Sequence, residues 1–168
     1  MIDQWFDLYA DEVYSFLAYM VRDRELARDL TQETFVHAMM GIHRFRAESS
    51  PKTWLLTIAR NVAISHLRKR RVEVAAGDLV FDRLASTMGS PEVTVEQRDT
   101  QTLLIDALYQ LRPGYRDVII CREIMGMSSK ETARVLGWST NKVRVTLHRA
   151  LKAAKQQLLE RGWGHELA

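Results

Sequence analysis

Hydrophobic residues recur every three or four positions through most of the chain, which is the spacing of one face of an α-helix. The first such stripe predicts an amphipathic helix with an inner face of Ile2, Trp5, Phe6, Tyr9, Val13, Phe16, Leu17 and Met20. Asp23 is a good N-cap for a second helix, and Gly41 would end it. The inner face of that second helix would comprise Ala27, Leu30, Phe35 and Met39.

A loop and a third helix are predicted next. Residues 43–50 show no sustained period, which indicates a loop. Ser50 followed by Pro51 is a typical helix start, with serine at the N-cap and proline at the first helical position. The helix would end in the basic run at residues 68–71. Its buried side chains would be Trp54, Leu55, Ile58 and Val62.

The hydrophobic period is lost between residues 72 and 98, a stretch interrupted by glycine, serine and proline. Such a stretch is typical of a linker. No segment alternates hydrophobic and polar residues as a half-buried strand does. We therefore predict an all-α protein of two small helical bundles, residues 1–71 and 99–168, joined by a flexible linker at residues 72–98.

The second bundle is predicted to contain four helices. The first would end before Pro113, and a short one would follow it and end near Gly126. Ser128 and Glu131 have the spacing of a capping box, and Ser139 can cap the last helix. The buried positions of the first two helices would be Leu104, Ala107, Leu108, Leu111, Tyr115, Val118 and Ile119. Those of the last helix would be Val143, Leu147, Ala150, Leu151, Ala154 and Leu158.

The last two helices, joined through residues 136–139, have the layout of a helix-turn-helix, in which the second helix enters the major groove. Its outward face would hold candidates for contacts with base edges or phosphates, namely Asn141, Lys142, Val145, His148, Arg149 and Lys152. Arg144 and Lys155 lie beside the buried stripe, where they would meet phosphates. An ordinary amphipathic helix pair with a solvated face explains the same pattern.

The first bundle carries weaker signals for nucleic acid. The basic helix end, which includes Arg68 and Arg70, could contact DNA backbone. Around the loop, Arg44, Phe45 and Lys52 combine charge with an aromatic ring, as single-strand binders do. Asn61, polar and in mid-helix, is either a solvated residue or a base reader, and Trp54 is interpreted as core.

Charge and composition narrow the function classes. The net charge is +3, divided as +2 in residues 1–71, −3 in residues 72–98 and +4 in residues 99–168. This distribution suits a polyanionic partner for each bundle, although solvated helical faces also vary in charge. The one cysteine, Cys121, fits a reducing compartment, and with no export signal or membrane-length hydrophobic run we expect a cytoplasmic protein.

Metal, cofactor and catalytic signatures are missing from the sequence. The five histidines have no ligand spacing, Cys121 has no catalytic partner nearby in sequence, and there is no glycine-rich phosphate loop. We therefore predict no catalytic residues, no metal site, no cofactor and no small-molecule substrate.

Four stretches resemble the sigma-70 class of transcription initiation factors, in the same order. Residues 27–36 (ARDLTQETFV) resemble the core-polymerase-binding segment, and residues 53–61 (TWLLTIARN) with the basic helix end resemble the −10 recognition and melting segment. Residues 111–116 (LRPGYR) resemble the entry to region four, and residues 126–150 resemble its −35-reading helix-turn-helix. In its short length the chain resembles the extracytoplasmic-function (ECF) group, whose members keep only regions two and four.

The resemblance implies a factor that brings bacterial core RNA polymerase to promoters and helps to melt them. Asp29, Gln32 and Glu33 would bind the clamp helices of the largest subunit, β′, with further contacts to β. The 43–52 loop and Asn61 would hold an extruded base of the −10 element. Promoter DNA, duplex and melted, and an anti-sigma factor are the other partners implied.

Two other function classes remain as alternatives at this point. A DNA-binding regulator could use the same helix-turn-helix without joining the polymerase. It would need a signal-receiving or dimerising domain, and residues 1–71 show neither a ligand-site signature nor a heptad repeat. An enzyme is the least supported class, for the reasons given above.

Overall fold

A computed structural model describes residues 1–75 and 95–163 of the chain, with side chains from residue 100 onward in the second stretch. These residues form seven α-helices and no strand, and they fall into two compact units, residues 1–75 and most of residues 95–163. Within the two described stretches, no helix is both long and apolar enough to cross a membrane.

The first unit is a bundle of three helices, each of which packs against the other two. They are α1 (Ile2–Val21), α2 (Arg24–Gly41) and α3 (Pro51–Ala75), with a 3-10 turn at Ile42–Arg44 between the last two. The centre of this bundle contains the fully buried side chains of Val13, Phe16, Leu17, Leu55 and Leu56. The stripe of hydrophobic residues in α1 and α3 therefore forms one core, as the sequence predicts.

Helix starts in this unit follow the predicted caps. Asp23 Oδ1 accepts a hydrogen bond from Leu26 N–H at 3.1 Å, and Ser50 Oγ accepts one from Thr53 N–H at 3.1 Å. Each cap satisfies a backbone donor that the first helical turn cannot satisfy itself, and is typically worth about 1 kcal/mol. The end of α2 at Gly41 is also confirmed.

Several expectations for this unit are wrong. Phe6, predicted on the inner face of α1, is 45% exposed. Met39, predicted inside, is 60% exposed, while Ala38 is fully buried. At 3.6 residues per turn, position 38 returns to within about 20° of Ala27, whereas position 39 is about 120° away. Trp54 is only partly buried. Helix α3 continues four residues beyond Arg71, because no glycine or proline interrupts it before Ala75.

The second unit contains α4 (Val95–Gln110), α5 (Pro113–Ile119), α6 (Ser129–Leu136) and α7 (Thr140–Glu160). Helix α7 packs against α4 and α5. Its predicted inner positions Val143, Ala150 and Leu158 are buried, but Leu151 is exposed. Leu104 is exposed too, because the buried part of α4 begins at its last turn; the buried residues there are Ala107, Leu108 and the following Leu111.

Helix α5 continues into a π-helical turn at Ile120–Ile124, which the sequence pattern does not predict. Met125 N–H donates to Ile120 O at 2.8 Å, and the segment ends at Gly126, whose φ of 67° suits glycine. The predicted linker, residues 72–98, is helical at 72–75 and 95–98, and residues 76–94 lie outside the described part. The domain boundaries therefore stay a prediction.

Candidate nucleic-acid interface

The turn between α6 and α7 is built from residues that terminate one helix and start the next. Gly137 has a φ of 70°, and Trp138 N–H donates to Ala133 O at 2.9 Å, which closes α6. Ser139 Oγ then accepts from Lys142 N–H at 3.1 Å and caps α7. This is the helix-turn-helix layout that the sequence predicts.

The start of α6 has the predicted capping box. Ser128 Oγ accepts from Glu131 N–H at 3.0 Å, and Glu131 Oε1 accepts from Ser128 N–H at 3.4 Å. Upstream, Arg122 Nη1 donates to Met127 O at 2.6 Å, so a guanidinium spans the turn that leads into α6. Both ends of α6 are thus fixed by local hydrogen bonds.

The exposed face of α7 contains every residue that sequence reasoning assigned to the −35 element. Opposite it, the buried stripe begins at Val143 and continues at Ala150. From Asn141 to Arg161 the helix and its cap carry six basic residues and one acidic residue, Glu160. The exposed candidates are Asn141, Lys142, Arg144, Val145, His148, Arg149 and Lys152. Such a face can donate hydrogen bonds to base edges and to phosphates.

Trp138 is a residue of this site that sequence reasoning missed. The Lys142 ammonium lies 4.4 Å from the centroid of the Trp138 ring, a cation–π contact. The same ring lies against Gly114, where an added Cβ would stand 3.7 Å from Trp138 Cη2. The indole therefore packs between the first turn of α5 and the first turn of α7. The four-residue spacing of Trp138 and Lys142 was the signal available in the sequence.

The candidate polymerase-binding residues lie together on the outer face of α2. Asp29, Gln32 and Glu33 are all exposed. On the opposite face Thr31 and Thr34 are buried, and their hydroxyls donate to the carbonyls four residues earlier at 2.6 and 2.7 Å. A partner could therefore reach the exposed carboxylates and amide without disturbing the core.

Two hydrophobic residues extend this outer face of α2. Val36 and Met40 are exposed, seven and eleven residues after Asp29, which places them on the same side of the helix. Glu33 Oε1 lies 3.5 Å from His37 Nε2 one turn away. Their spacing of four residues from each other was the signal available in the sequence.

Helix α3 brings together only part of the predicted −10 set. Asn61 and Arg68 are exposed and seven residues apart, so they share one face. Arg70 is nine residues from Asn61, which places it roughly 180° around the helix by the same geometry. The basic helix end thus presents charge on more than one side of α3.

The loop before α3 contains the other −10 candidates. Arg44 ends the 3-10 turn and is exposed. The Phe45 ring is partly buried, with its centroid 5.1 Å from that of Trp5 and 5.4 Å from that of Trp54. Lys52 Nζ lies 3.0 Å from Glu12 Oε2 of α1. Phe45 and Lys52 thus already have protein contacts.

No group of three or more His, Cys, Asp or Glu side chains in residues 1–75 and 100–163 is arranged to hold a metal ion. The side chains at the exposed helical faces can form hydrogen bonds, charge interactions and aromatic stacking contacts. These are the contacts with which proteins bind nucleic acids and other proteins.

Comparison with known proteins gives matches over both units. The family model for Sigma-70 region 2 matches residues 5–73, and that for Sigma-70, region 4 matches residues 101–153. The ECF RNA polymerase sigma factor SigX of Bacillus subtilis is 36% identical over 157 residues, covering 91% of this chain and 81% of the relative. SigM of the same bacterium is 32% identical, covering 98% and 99%.

A solved structure agrees with these sequence matches. The sigma factor RpoE from Bartonella quintana, in a co-crystal with the anti-sigma factor NepR, superposes with a TM-score of 0.80 at 26% identity. The match covers 94% of this chain and 96% of that one. The resemblance and the all-α fold with two sigma-type bundles are therefore confirmed, and the chain belongs to the ECF sigma factors of the sigma-70 family.

Proposed function

We propose that the chain binds bacterial core RNA polymerase and directs it to promoters by reading −35 and −10 elements. The observation that carries this proposal is the α7 face, on which all seven −35 candidates are exposed, in a chain that also matches region two. A regulator that works without the polymerase would not need region two. The match over residues 5–73 therefore favours the sigma factor over that alternative.

The −35 element would be read in the major groove by α7. Asn141 suits adenine, Arg149 suits the two acceptors of guanine, and Val145 can contact a thymine methyl group. His148 and Lys152 complete the outward face, and Lys142 and Arg144 would reach phosphates and set the register of the helix.

The −10 element would be melted and held by the first unit. Asn61 and Arg68, on one face of α3, would follow the strand, and the loop after Arg44 would hold an extruded base. Lys52 would reach a phosphate after exchanging its contact with Glu12. Arg70 would contact backbone on the other side of α3.

Protein partners are the remaining part of the proposal. Asp29, Gln32 and Glu33 would bind β′, with β as a further contact. An anti-sigma factor is expected to restrain the protein, since RpoE was crystallised with one. We place this activity in the cytoplasm, with no cofactor and with all catalysis performed by the polymerase.

Run-off transcription with purified core polymerase tests this function. Promoter fragments from the source genome should give specific transcripts only when the protein is added. Their start sites would locate both promoter elements. If the protein neither co-elutes with core enzyme nor supports transcripts, yet binds duplex DNA, the regulator alternative is correct.

Arg149→Ala sharpens this test. We expect it to lower −35-dependent transcription by roughly 5- to 150-fold, the loss typical of one base contact, without weakening assembly with core enzyme. Arg161→Ala, an equal charge change at the exposed C-cap of the same helix, is the matched control. Equal activity of the two variants would show that the recognition face is assigned wrongly.

A further inference from the structure

We propose that Trp5 and Phe45 are positioning residues for −10 recognition, because the ring cluster they form with Trp54 fixes the loop at residues 45–50 before DNA arrives. The inference rests on the proposed function of the first unit. It adds a role for Trp5, a residue of α1 that no candidate site includes.

The cluster joins three separate elements of the first unit. Trp5 comes from α1, Trp54 from α3, and Phe45 is the first residue after the 3-10 turn. The centroids of Trp5 and Trp54 are 5.9 Å apart, and both indoles meet other rings edge-on or tilted at 57–77°. These are the favoured geometries of aromatic pairs. The start of the loop is thus attached to two helices at once.

The far end of the loop is attached as well. Ser50 Oγ accepts from Thr53 N–H and lies 3.0 Å from Thr53 Oγ1, and the neighbouring Lys52 is paired with Glu12 of α1. Between the two ends, Ala47 has a φ of 57°. A residue with a Cβ adopts this left-handed conformation only when its surroundings hold it there.

This arrangement divides the loop into attached and presented residues. The side chains of Arg46 and Glu48 are exposed between the two attachments, so they are the groups offered to a base. A loop already held in its binding conformation loses less entropy when DNA binds. Discrimination between −10 bases should therefore depend on the Trp5 ring, although Trp5 is only 8% exposed and cannot stack on a base itself.

Phe45 could act in two ways, by stacking on a base or by holding the loop in position. The two can be distinguished because Trp5 is buried and can take part only in the second. If the Phe45 ring stacks directly on an extruded base, removing the Trp5 ring leaves that stacking surface in place. If the cluster positions the loop, Trp5→Leu and Phe45→Leu produce the same defect. Trp5→Phe, which keeps a ring at this position, should then retain most of the discrimination.

The measurement is open-complex formation by holoenzyme on its own promoter and on a version with one −10 base changed. A correct base is typically worth a factor of roughly 5 to 150. We expect Trp5→Leu and Phe45→Leu to reduce this ratio several-fold, toward one, with unchanged affinity for core polymerase. Phe35→Leu is the matched control, since it removes a buried ring of the same bundle that pairs with Phe6 and not with the rings of the cluster.

Three outcomes would overturn the inference while leaving the sigma activity intact. They are an effect of Phe45→Leu without one of Trp5→Leu, no effect of either, and an equal effect of Phe35→Leu. If the wild-type protein supports no transcription, the proposed function fails instead. If Trp5→Leu does not bind core enzyme, its base discrimination cannot be measured. Hydrogen exchange of the Phe45→Leu variant then tests whether the ring cluster holds the loop. Its residue-45 amide, bonded to Ile42 O in the wild type at 3.1 Å, must exchange faster than before.

Discussion

Lys142 is exposed, yet its charge has a defined place because its ammonium lies over the Trp138 ring. A cation–π contact at an exposed site contributes about 0.5–1 kcal/mol. We expect Trp138→Leu to weaken holoenzyme binding at the −35 element roughly two- to fivefold, as this energy implies. In a double-mutant cycle with Lys142→Met, the coupling energy should be of the same size.

Lys155→Met provides the control for this cycle. Lys155 is exposed on α7, about 17 residues and nearly five helical turns after Trp138, so its effect should add to that of Trp138→Leu. Additive effects of Trp138→Leu and Lys142→Met would show that the indole does not direct the lysine.

For single residues, exposure could be predicted from the sequence, but contacts between distant residues could not. The outward face of α7 could be predicted, because burial of Val143 and Ala150 determines which positions point away from them. The packing of Trp138 against Gly114 could not, since these residues are distant in sequence and no pattern links them. Phe45 was predicted from its type, but its contacts with Trp5 depend on how three helices assemble.

At the scale of elements, the start of α6 depends on the capping box of Ser128 and Glu131. Ser128→Ala removes the acceptor for Glu131 N–H and should lower the free energy of unfolding by about 1 kcal/mol. Denaturant unfolding followed by circular dichroism would measure this change. Ser129→Ala, one position inside the helix and without a cap bond, is the control, and an equal loss in both variants would contradict the role of the box.

Helix boundaries were predictable where a residue type enforces them. Asp23, Ser50 and Ser139 start helices because their side chains satisfy free backbone donors. The π-helical turn at Ile120–Ile124 was not predictable, because five residues are too few to distinguish its period from that of an α-helix. The extension of α3 to Ala75 differs from the predicted end at the basic run, because arginine and lysine favour helix and do not end one.

For the whole molecule, the order of the four motifs was more informative than any one of them. Each helical pair alone is compatible with an ordinary solvated surface, and the net charge of +3 decides little. Region two and region four in one short chain require a partner that spaces both DNA elements. Fold class and family could therefore be predicted from the sequence, whereas the ring contacts of the site required the structure.

Polymerase binding and promoter reading should be separable by mutation, because different surfaces are assigned to them. Asp29→Ala with Gln32→Ala removes two exposed groups of α2 that lie apart from the α7 face and the 45–50 loop along the chain. We expect core polymerase affinity to fall at least about tenfold, since interface residues that matter each contribute about 1 kcal/mol or more. Base discrimination by the holoenzyme that still forms should be unchanged. Fluorescence competition for core enzyme would measure the affinity.

Helix α1 offers a matched control for this pair. Gln4→Ala with Asp7→Ala removes the same amide and the same charge from exposed positions of the same bundle. If the α2 face binds β′, this control keeps its affinity for core enzyme, because net charge and helix stability change similarly in both variants. Equal affinity of the two double variants would mean that Asp29 and Gln32 belong to a solvated surface, and that the polymerase contacts another part of the bundle.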